Sequence, residues 1–174
     1  MKELILGGAR SGKSRLAEKL ALTSGLPVTY IATASGGDDE MCARIVEHQR
    51  RRPASWKLIE EPRALARVLQ EQAAPDRCLL VDCLTLWLSN LLGADDPERL
   101  RNERCAFLGL LPQLPGHIIL VSNETGLGIV PMGVLARRFC DEAGWLHQEL
   151  AQQCDRVLLT VAGLPQLLKG KPLV

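Results

Sequence analysis

The sequence predicts an α/β fold, a mostly parallel sheet with helices on both faces, from two observations. Short apolar, β-rich segments alternate with longer segments of helical periodicity, which is the pattern of strand–helix–strand units. One segment, Cys78–Val81, is continuously apolar, as strands buried on both faces of a parallel sheet are. The 174 residues have the length of about one domain, so we expect one domain over residues 1–174.

Six short β-rich segments are predicted to be the strands. They are Leu4–Leu6, Val28–Ala32, Trp56–Ile59, Cys78–Val81, His117–Val121 and Arg156–Ala162. Ligands of parallel sheets bind beyond the carboxyl ends of the strands, so site residues are expected at that edge.

Six segments of helical pattern are predicted to be the helices. They are Ser14–Leu22, Asp38–Arg51, Arg63–Gln72, Thr85–Leu92, Pro97–Leu111 and Met132–Cys154. In the first, Leu16, Ala17 and Leu20 fall on one side, as in an amphipathic helix. Asp38 is a good N-cap residue for the second helix and Pro53 would end it. We expect an interruption of the last helix near Gly144.

Composition excludes several classes of protein. The 21 basic and 20 acidic residues give a net charge of +1, so no overall field favours nucleic acid or an anionic membrane. No segment approaches the roughly 20 apolar residues that span a bilayer, and no signal-peptide pattern is visible at the N-terminus. The six cysteines form no C-x-x-C pair, so zinc spacing is absent and we expect reduced thiols and a cytoplasmic location.

The strongest local signal is a complete phosphate-binding loop between the first predicted strand and helix. The pattern G-x-x-x-x-G-K-[ST] is filled by Gly7, Gly8, Ala9, Arg10, Ser11, Gly12, Lys13 and Ser14. The glycines let successive backbone N–H groups face one anion, and the helix adds its positive end. Lys13 would contact the β- and γ-phosphates of ATP or GTP, and Ser14 would bind Mg²⁺. The chain is therefore predicted to be a P-loop nucleotide-binding domain.

Asp82 is the predicted second metal-side group. It follows the apolar segment Cys78–Val81 directly, which places it at the carboxyl end of a core strand, where the acidic residue of a P-loop protein binds Mg²⁺. The alternative is an ordinary Asp that caps the helix at Thr85.

A second unusual segment carries a histidine among arginines. On a helix, His48 would share one face with Arg44 and with Arg51 or Arg52. The arginine charges favour a neutral imidazole, which could attack phosphorus and form a phosphoramidate while the arginines hold a polyphosphate. The alternative is a solvated basic helix face with an incidental histidine.

These motifs together resemble one family, the bifunctional adenosylcobinamide kinase / adenosylcobinamide-phosphate guanylyltransferases of cobalamin synthesis. The resemblance runs in order through nearly the whole chain. It is carried by Gly7–Ser14, Tyr30–Thr33, Asp39–Met41, Ala43–Ile45, His48, Arg52, Pro53, Trp56, Val81–Thr85, Trp87, Asn90, Val121–Pro131, Leu135–Arg137, Asp141, Gly144, Gln148 and Val161–Gly163. The phosphate loop is shared by many families, whereas the His48 segment and Asn123–Pro131 are much more specific.

The resemblance implies a RecA-like P-loop fold, two reactions and a homo-oligomer, since known relatives form trimers. A nucleoside triphosphate would phosphorylate adenosylcobinamide, and GTP would then guanylylate His48, from which GMP passes to the cobinamide phosphate. Lys13, Ser14 and Asp82 match the family's phosphate and magnesium groups. Positions matching those near the bound guanine nucleotide are Ala32, Thr33, Ala34, Gln49, Arg50, Arg51, Arg52, Glu60 and Asp82.

The sequence departs from the family pattern in a few places. His147 stands where Asn is expected, and Trp145 replaces a small or basic residue; both are expected to lie away from the nucleotide motifs. Asp82 is Glu in some relatives, so a metal role and a base role both stay open. Glu124 could activate the acceptor hydroxyl, bind metal, or be a solvated residue of a turn. His117 precedes its strand and is expected at the surface.

Two other functions are compatible with the phosphate loop. A different small-molecule kinase would need Lys13, Ser14 and Asp82 but no nucleophilic histidine. A GTP-dependent switch or binding protein would usually carry an N-K-x-D segment, and the nearest sequence, Asn123–Gly126, lacks both the Lys and the Asp.

Overall fold

The computed structural model describes residues 1–34, 53–94 and 96–173. The predicted helix Asp38–Arg51 lies outside these residues, and so do His48 and Gln49–Arg52. The described strands are β1 (Lys2–Gly7), β2 (Val28–Ala32), β3 (Lys57–Glu60), β4 (Cys78–Asp82), β5 (His117–Asn123), β6 (Arg156–Val161) and β7 (Leu164–Lys169). The described helices are α1 (Lys13–Thr23), α2 (Leu65–Gln72), α3 (Leu84–Leu92), α4 (Pro97–Leu110) and α5 (Val134–Gln153).

The described strands form one sheet in the order β3-β2-β4-β5-β1-β6-β7. Every pairing is parallel except that of β6 with β7. The predicted mostly parallel sheet is therefore confirmed. Strands β4, β5, β1 and β6 are central, and their residues are largely buried, as their apolar sequences require.

Helices cover both faces of the sheet, as predicted. On one face α1 approaches closely because its buried positions, Ala17 and Ala21, are small. On the other face α2 to α5 form the larger part of the core, in which Trp87 meets Phe107 edge to face at 5.6 Å between ring centroids.

Two elements differ from the sequence prediction. Helix α5 continues through Gly144 without interruption, because a glycine in a long amphipathic helix costs only about 1 kcal/mol, which packing of the buried stripe outweighs. Strand β7 was not predicted: its residues are exposed on both sides, so they lack the apolar alternation of a strand, and it contains Pro165. It forms an antiparallel hairpin with β6 at the sheet edge, where a proline is tolerated.

The amino-terminal edge of the sheet holds a buried ion cluster. The Glu3 side chain on β1 is fully buried; its Oε2 accepts from Arg156 Nε at 2.5 Å, and its Oε1 lies 2.6 Å from His117 Nε2. The expectation that His117 is a surface residue is therefore wrong, because a buried carboxylate needs polar partners. Burial raises the pKa of Glu3, but hydrogen bonds from His117 and Arg156 and their charges outweigh it, so the net pKa is lowered.

We predict that Glu3→Gln destabilises the protein by about 3 kcal/mol at pH 7, because it leaves Arg156 without its counter-charge. The lowered pKa means that the ionised Glu3 stabilises the fold above the unfolded-state pKa of about 4.3 and loses this effect as the pH falls through its folded-state value. Urea unfolding of the wild type and of Glu3→Gln, at pH 7 and at pH 3, gives the free energy of unfolding of each. The gap in unfolding free energy should shrink in acid; a gap independent of pH would contradict the assignment.

Candidate active site

The phosphate loop begins where β1 ends and closes on the first turn of α1. Lys13 is the first residue of the helix and Ser14 the second, so both side chains are presented at the helix N-terminus. The glycines are required by space: a Cβ at Gly7 would lie 2.5 Å from Ser11 Oγ and from the Thr160 carbonyl oxygen. Gly12 adopts φ +96°, a left-handed conformation that favours glycine.

The turn of the β6–β7 hairpin supports this loop from one side. The Gly163 N–H donates to the Ser11 carbonyl at 2.8 Å. A Cβ at Gly12 would lie 3.1 Å from Gly163 Cα, so the turn packs directly on the loop. At the tip, Gly8, Ala9 and Arg10 are exposed and accessible to a solute.

Lys13 is held in a position from which its ammonium group can meet a polyphosphate. Its Nζ donates to the Gly8 carbonyl of the same loop at 3.0 Å, although the residue is largely buried. Burial lowers the pKa of Lys13, and the negative charge of Asp82 acts in the opposite direction. The loop therefore concentrates a cation and backbone N–H groups at one point, which is the arrangement that binds phosphate.

Asp82 ends β4 at the same edge of the sheet. Its Oδ2 accepts a hydrogen bond from the Tyr30 hydroxyl at 2.9 Å. Helix α3 begins at Leu84 with Cys83 in the capping position, so Asp82 lies one residue outside that position. Its carboxylate and the Ser14 hydroxyl are oxygen donors of the kind that Mg²⁺ prefers, so these are the two side chains that could hold the cation.

A buried polar network ties the ends of three strands together beside Asp82. Thr33 Oγ1 accepts from the Cys83 N–H at 2.9 Å and donates to the Cys83 carbonyl at 2.6 Å. Thr85 Oγ1 contacts Cys83 Sγ at 3.0 Å and accepts from Asn123 Nδ2 at 2.8 Å. Burial raises the pKa of the Cys83 thiol, so this cysteine is a packing group rather than a nucleophile.

The sequence-predicted site residues that the structure describes fall along one edge of the sheet. Asp82, Ala32 and Glu60 lie side by side at the ends of β4, β2 and β3, and the phosphate loop follows β1 at the same edge, with β5 between β1 and β4. Ala34 follows β2 two residues after its end. Thr33 is buried, and its hydroxyl, N–H and carbonyl are bonded within the protein, so its position is a supporting one. The predicted nucleophile His48 and Gln49, Arg50, Arg51 and Arg52 lie outside the described residues.

One residue at this edge, His147, lies elsewhere than its sequence predicts. His147 was expected away from the nucleotide motifs, but helix α5 carries it to the end of β5, where its Nε2 lies 2.7 Å from Ser122 Oγ. Its Nδ1 is 3.8 Å from Glu124 Oε2. The helical spacing of Ala143, Leu146 and Leu150 marks the buried face of α5, and His147 lies on that face. This spacing could have predicted that His147 is buried.

Comparison with solved structures supports a RecA-like fold. The chain is similar to the RadB recombinase, with a TM-score of 0.54 and 18% identity, over 91% of this chain and 73% of that one. It is also similar to a type III secretion system ATPase of pathogenic bacteria, with a TM-score of 0.52 and 14% identity, over 91% of this chain and 50% of that one. The predicted RecA-like P-loop fold is confirmed.

Sequence relatives match over the full chain. The bifunctional adenosylcobalamin biosynthesis protein CobP of Pseudomonas aeruginosa is 67% identical over 173 residues, which cover 99% of this chain and 100% of that protein. The bifunctional adenosylcobalamin biosynthesis protein CobU of Salmonella typhimurium is 42% identical, over 97% of this chain and 100% of that protein. Residues 3–168 match the family described as cobinamide kinase / cobinamide phosphate guanyltransferase. The chain therefore belongs to this family and is a transferase.

Proposed function

We propose that this protein first phosphorylates the aminopropanol hydroxyl of adenosylcobinamide and then transfers GMP from GTP to the resulting phosphate. The observation that carries the proposal is the complete phosphate loop beside Asp82 in a chain of this family. Both reactions need a nucleoside triphosphate held with its phosphates fixed, and this is what such a loop does. Family membership favours the two-reaction enzyme over a simple kinase or a GTP-dependent switch.

In the first reaction the loop's backbone N–H groups and Lys13 would hold the β- and γ-phosphates of ATP or GTP. The acceptor oxygen attacks the γ-phosphorus, and the charge that develops on the leaving phosphate is stabilised by the Lys13 ammonium. Ser14 and Asp82 would hold Mg²⁺, which when bound neutralises phosphate charge.

In the second reaction we propose His48 as the nucleophile. A neutral ring nitrogen attacks the α-phosphorus of GTP, pyrophosphate leaves, and the guanylyl group is then passed to adenosylcobinamide phosphate. The arginines at 50, 51 and 52 and the edge residues Ala32, Ala34 and Glu60 are proposed to surround the nucleotide.

We further propose a cytoplasmic enzyme that works as a homo-oligomer such as a trimer. The described cysteines, Cys78, Cys83, Cys105, Cys140 and Cys154, are free thiols, which suits a reducing compartment. Among the described residues no helix is both long and apolar enough to cross a bilayer. A contiguous apolar segment after β5 is exposed, with Ile129 at 98% and Met132 at 94%, and a second copy of the chain would cover it.

His48→Asn should abolish the GMP adduct and GMP transfer, because an amide nitrogen is not a usable nucleophile. Phosphorylation of adenosylcobinamide should survive in part, since it needs no covalent intermediate. The GMP adduct is detected by intact mass after treatment with GTP and Mg²⁺. Phosphate transfer is measured with labelled ATP in the same preparation. A persisting adduct in the variant would show that another residue carries the nucleotide.

Lys13→Ala should lower the rate of both reactions by roughly 10²-fold or more, the scale of removing one transition-state donor. Lys19→Ala is the matched control, because Lys19 is an exposed lysine on the same helix. Steady-state rates of phosphate and GMP transfer measure the effect. Equal rates in the two variants would mean that the loop does not hold the reacting nucleotide.

Asp82→Asn should raise the Mg²⁺ concentration needed for half-maximal activity, since it keeps the shape but removes the charge that binds the cation. Asp76→Asn, an exposed aspartate before the same strand, is the control. Activity is measured over a Mg²⁺ titration at fixed nucleotide. Superimposable titrations for both variants and the wild type would give Asp82 a structural role.

The oligomer is tested by light scattering after size exclusion. The wild-type protein should run at a multiple of its 19.1 kDa chain mass, and the double variant Ile129→Ser with Met132→Ser should shift toward 19.1 kDa. The control Leu22→Ser replaces another exposed apolar residue, on α1, and should leave the mass unchanged. A wild-type mass of one chain would refute the oligomer.

A further inference from the structure

Three polar side chains form a cluster at the end of β5: Ser122 on the strand, Glu124 directly after it, and His147 on α5. The reactions described above give them no role. Ser122 and His147 are buried, and the Glu124 side chain is 21% exposed. The cluster therefore runs from the core on the α5 side of the sheet out to the surface of the active-site edge.

Glu124 lies directly beside the phosphate loop. Its backbone N–H donates to the Gly7 carbonyl at 3.0 Å, and the preceding Asn123 pairs with Gly7 in register. Because β5 lies between β1 and β4, Glu124 falls between the phosphate loop on one side and Asp82 on the other. A nucleotide held by this loop would therefore lie at the same edge of the sheet as Glu124.

The Glu124 carboxylate is held by one oxygen while the other faces a histidine. Its Oε1 accepts from the Gly126 N–H at 2.6 Å, which fixes the carboxylate against its own turn. Its Oε2 is 3.8 Å from His147 Nδ1, longer than a hydrogen bond but close enough for the dipole of a ring N–H to attract the carboxylate. The group is therefore oriented by the protein and still open to a solute.

His147 is suited to orient this carboxylate without neutralising it. Burial lowers the pKa of His147, although the Glu124 carboxylate acts in the opposite direction. With a proton on Nδ1 facing Glu124, Nε2 is left to accept from the Ser122 hydroxyl at 2.7 Å. A neutral ring held in place by Ser122 adds no positive charge beside Glu124. The carboxylate can therefore still take up a proton from another group.

We propose that Glu124 is the catalytic carboxylate that accepts the proton of the acceptor hydroxyl in the phosphorylation reaction, and that His147 is its positioning residue. This assignment rests on the proposed function. The bond between the acceptor oxygen and the γ-phosphorus forms as the bond from the γ-phosphorus to the β–γ bridging oxygen breaks. The hydroxyl proton passes to Glu124, and the nucleoside diphosphate leaves with the electron pair.

The two reactions make different demands on such a base, and this makes the assignment testable. The second acceptor is a phosphate monoester, whose second pKa is about 6, so it is already ionised near neutral pH. Guanylylation of His48 consumes a neutral imidazole and needs no hydroxyl to be deprotonated. A base for the hydroxyl is thus needed in the first reaction and dispensable in the second.

The experiment compares Glu124→Gln with the wild type in three assays on the full chain. Phosphorylation of adenosylcobinamide by labelled ATP should fall about 10²–10⁴-fold, the usual contribution of general base catalysis. The GMP adduct, by intact mass, and GMP transfer to adenosylcobinamide phosphate should stay within about threefold of wild type. Glu71→Gln, an exposed carboxylate in an ion pair on α2, is the matched control and should not change any rate.

Two results with Glu124→Gln would overturn the assignment. Phosphorylation within threefold of wild type would show that Glu124 does not take the proton. Loss of all three reactions with recovery at raised Mg²⁺ would make it a metal-side ligand instead. A wild-type protein that gives neither phosphorylation nor adduct would refute the proposed function itself, and this assignment with it.

The positioning role is tested by His147→Phe and His147→Gln. The phenylalanine variant should lower kcat of phosphorylation about tenfold with an unchanged KM for ATP and normal adduct formation, and the glutamine variant, which keeps an N–H donor, should recover part of it. Thermal unfolding of each variant verifies the fold. Equal loss in both folded variants, or a loss shared by the adduct assay, would contradict positioning through an N–H group.

Discussion

The register of β1 between β5 and β6 is the constraint on which the active-site edge depends. Hydrogen bonding on both sides fixes where β1 stops, and therefore where Gly7 turns the chain away from the sheet. The same register brings the Glu124 N–H to the Gly7 carbonyl and the hairpin turn to Ser11. A shift by one residue would move β1's buried side chains to the opposite face and displace the loop from its supports.

The network of Thr33, Cys83, Thr85 and Asn123 extends this order across the sheet. Thr33 follows β2, Cys83 and Thr85 lie where β4 passes into α3, and Asn123 ends β5. Their hydrogen bonds therefore join the ends of β2 and β5 to the junction of β4 and α3. Because the groups are buried, leaving one of them unpaired costs about 1–3 kcal/mol, so the strand ends are held in one arrangement. Asp82 is thereby set at a defined place beside the phosphate loop.

Sequence patterns predicted the central elements well for a physical reason. The strands from Val28, Cys78 and His117 are buried on both faces, so their composition carries the signal, and the phosphate loop has a fixed pattern of residue types. The β7 strand could not be predicted because its residues are exposed and contain Pro165. The contact of His147 with Ser122 joins residues 25 positions apart and depends on how α5 packs, which no local pattern encodes.

The buried Glu3 cluster and the phosphate loop lie at opposite ends of the same strand. The ion pair of Glu3 with Arg156 stabilises the fold at the amino-terminal edge of the sheet. The polar groups that face a solute, such as Lys13, lie at the carboxyl-terminal edge. Sites with no shared partners that lie more than about 7–10 Å apart contribute additively. A substitution in the Glu3 cluster is therefore expected to change the free energy of unfolding while leaving the turnover of the enzyme unchanged.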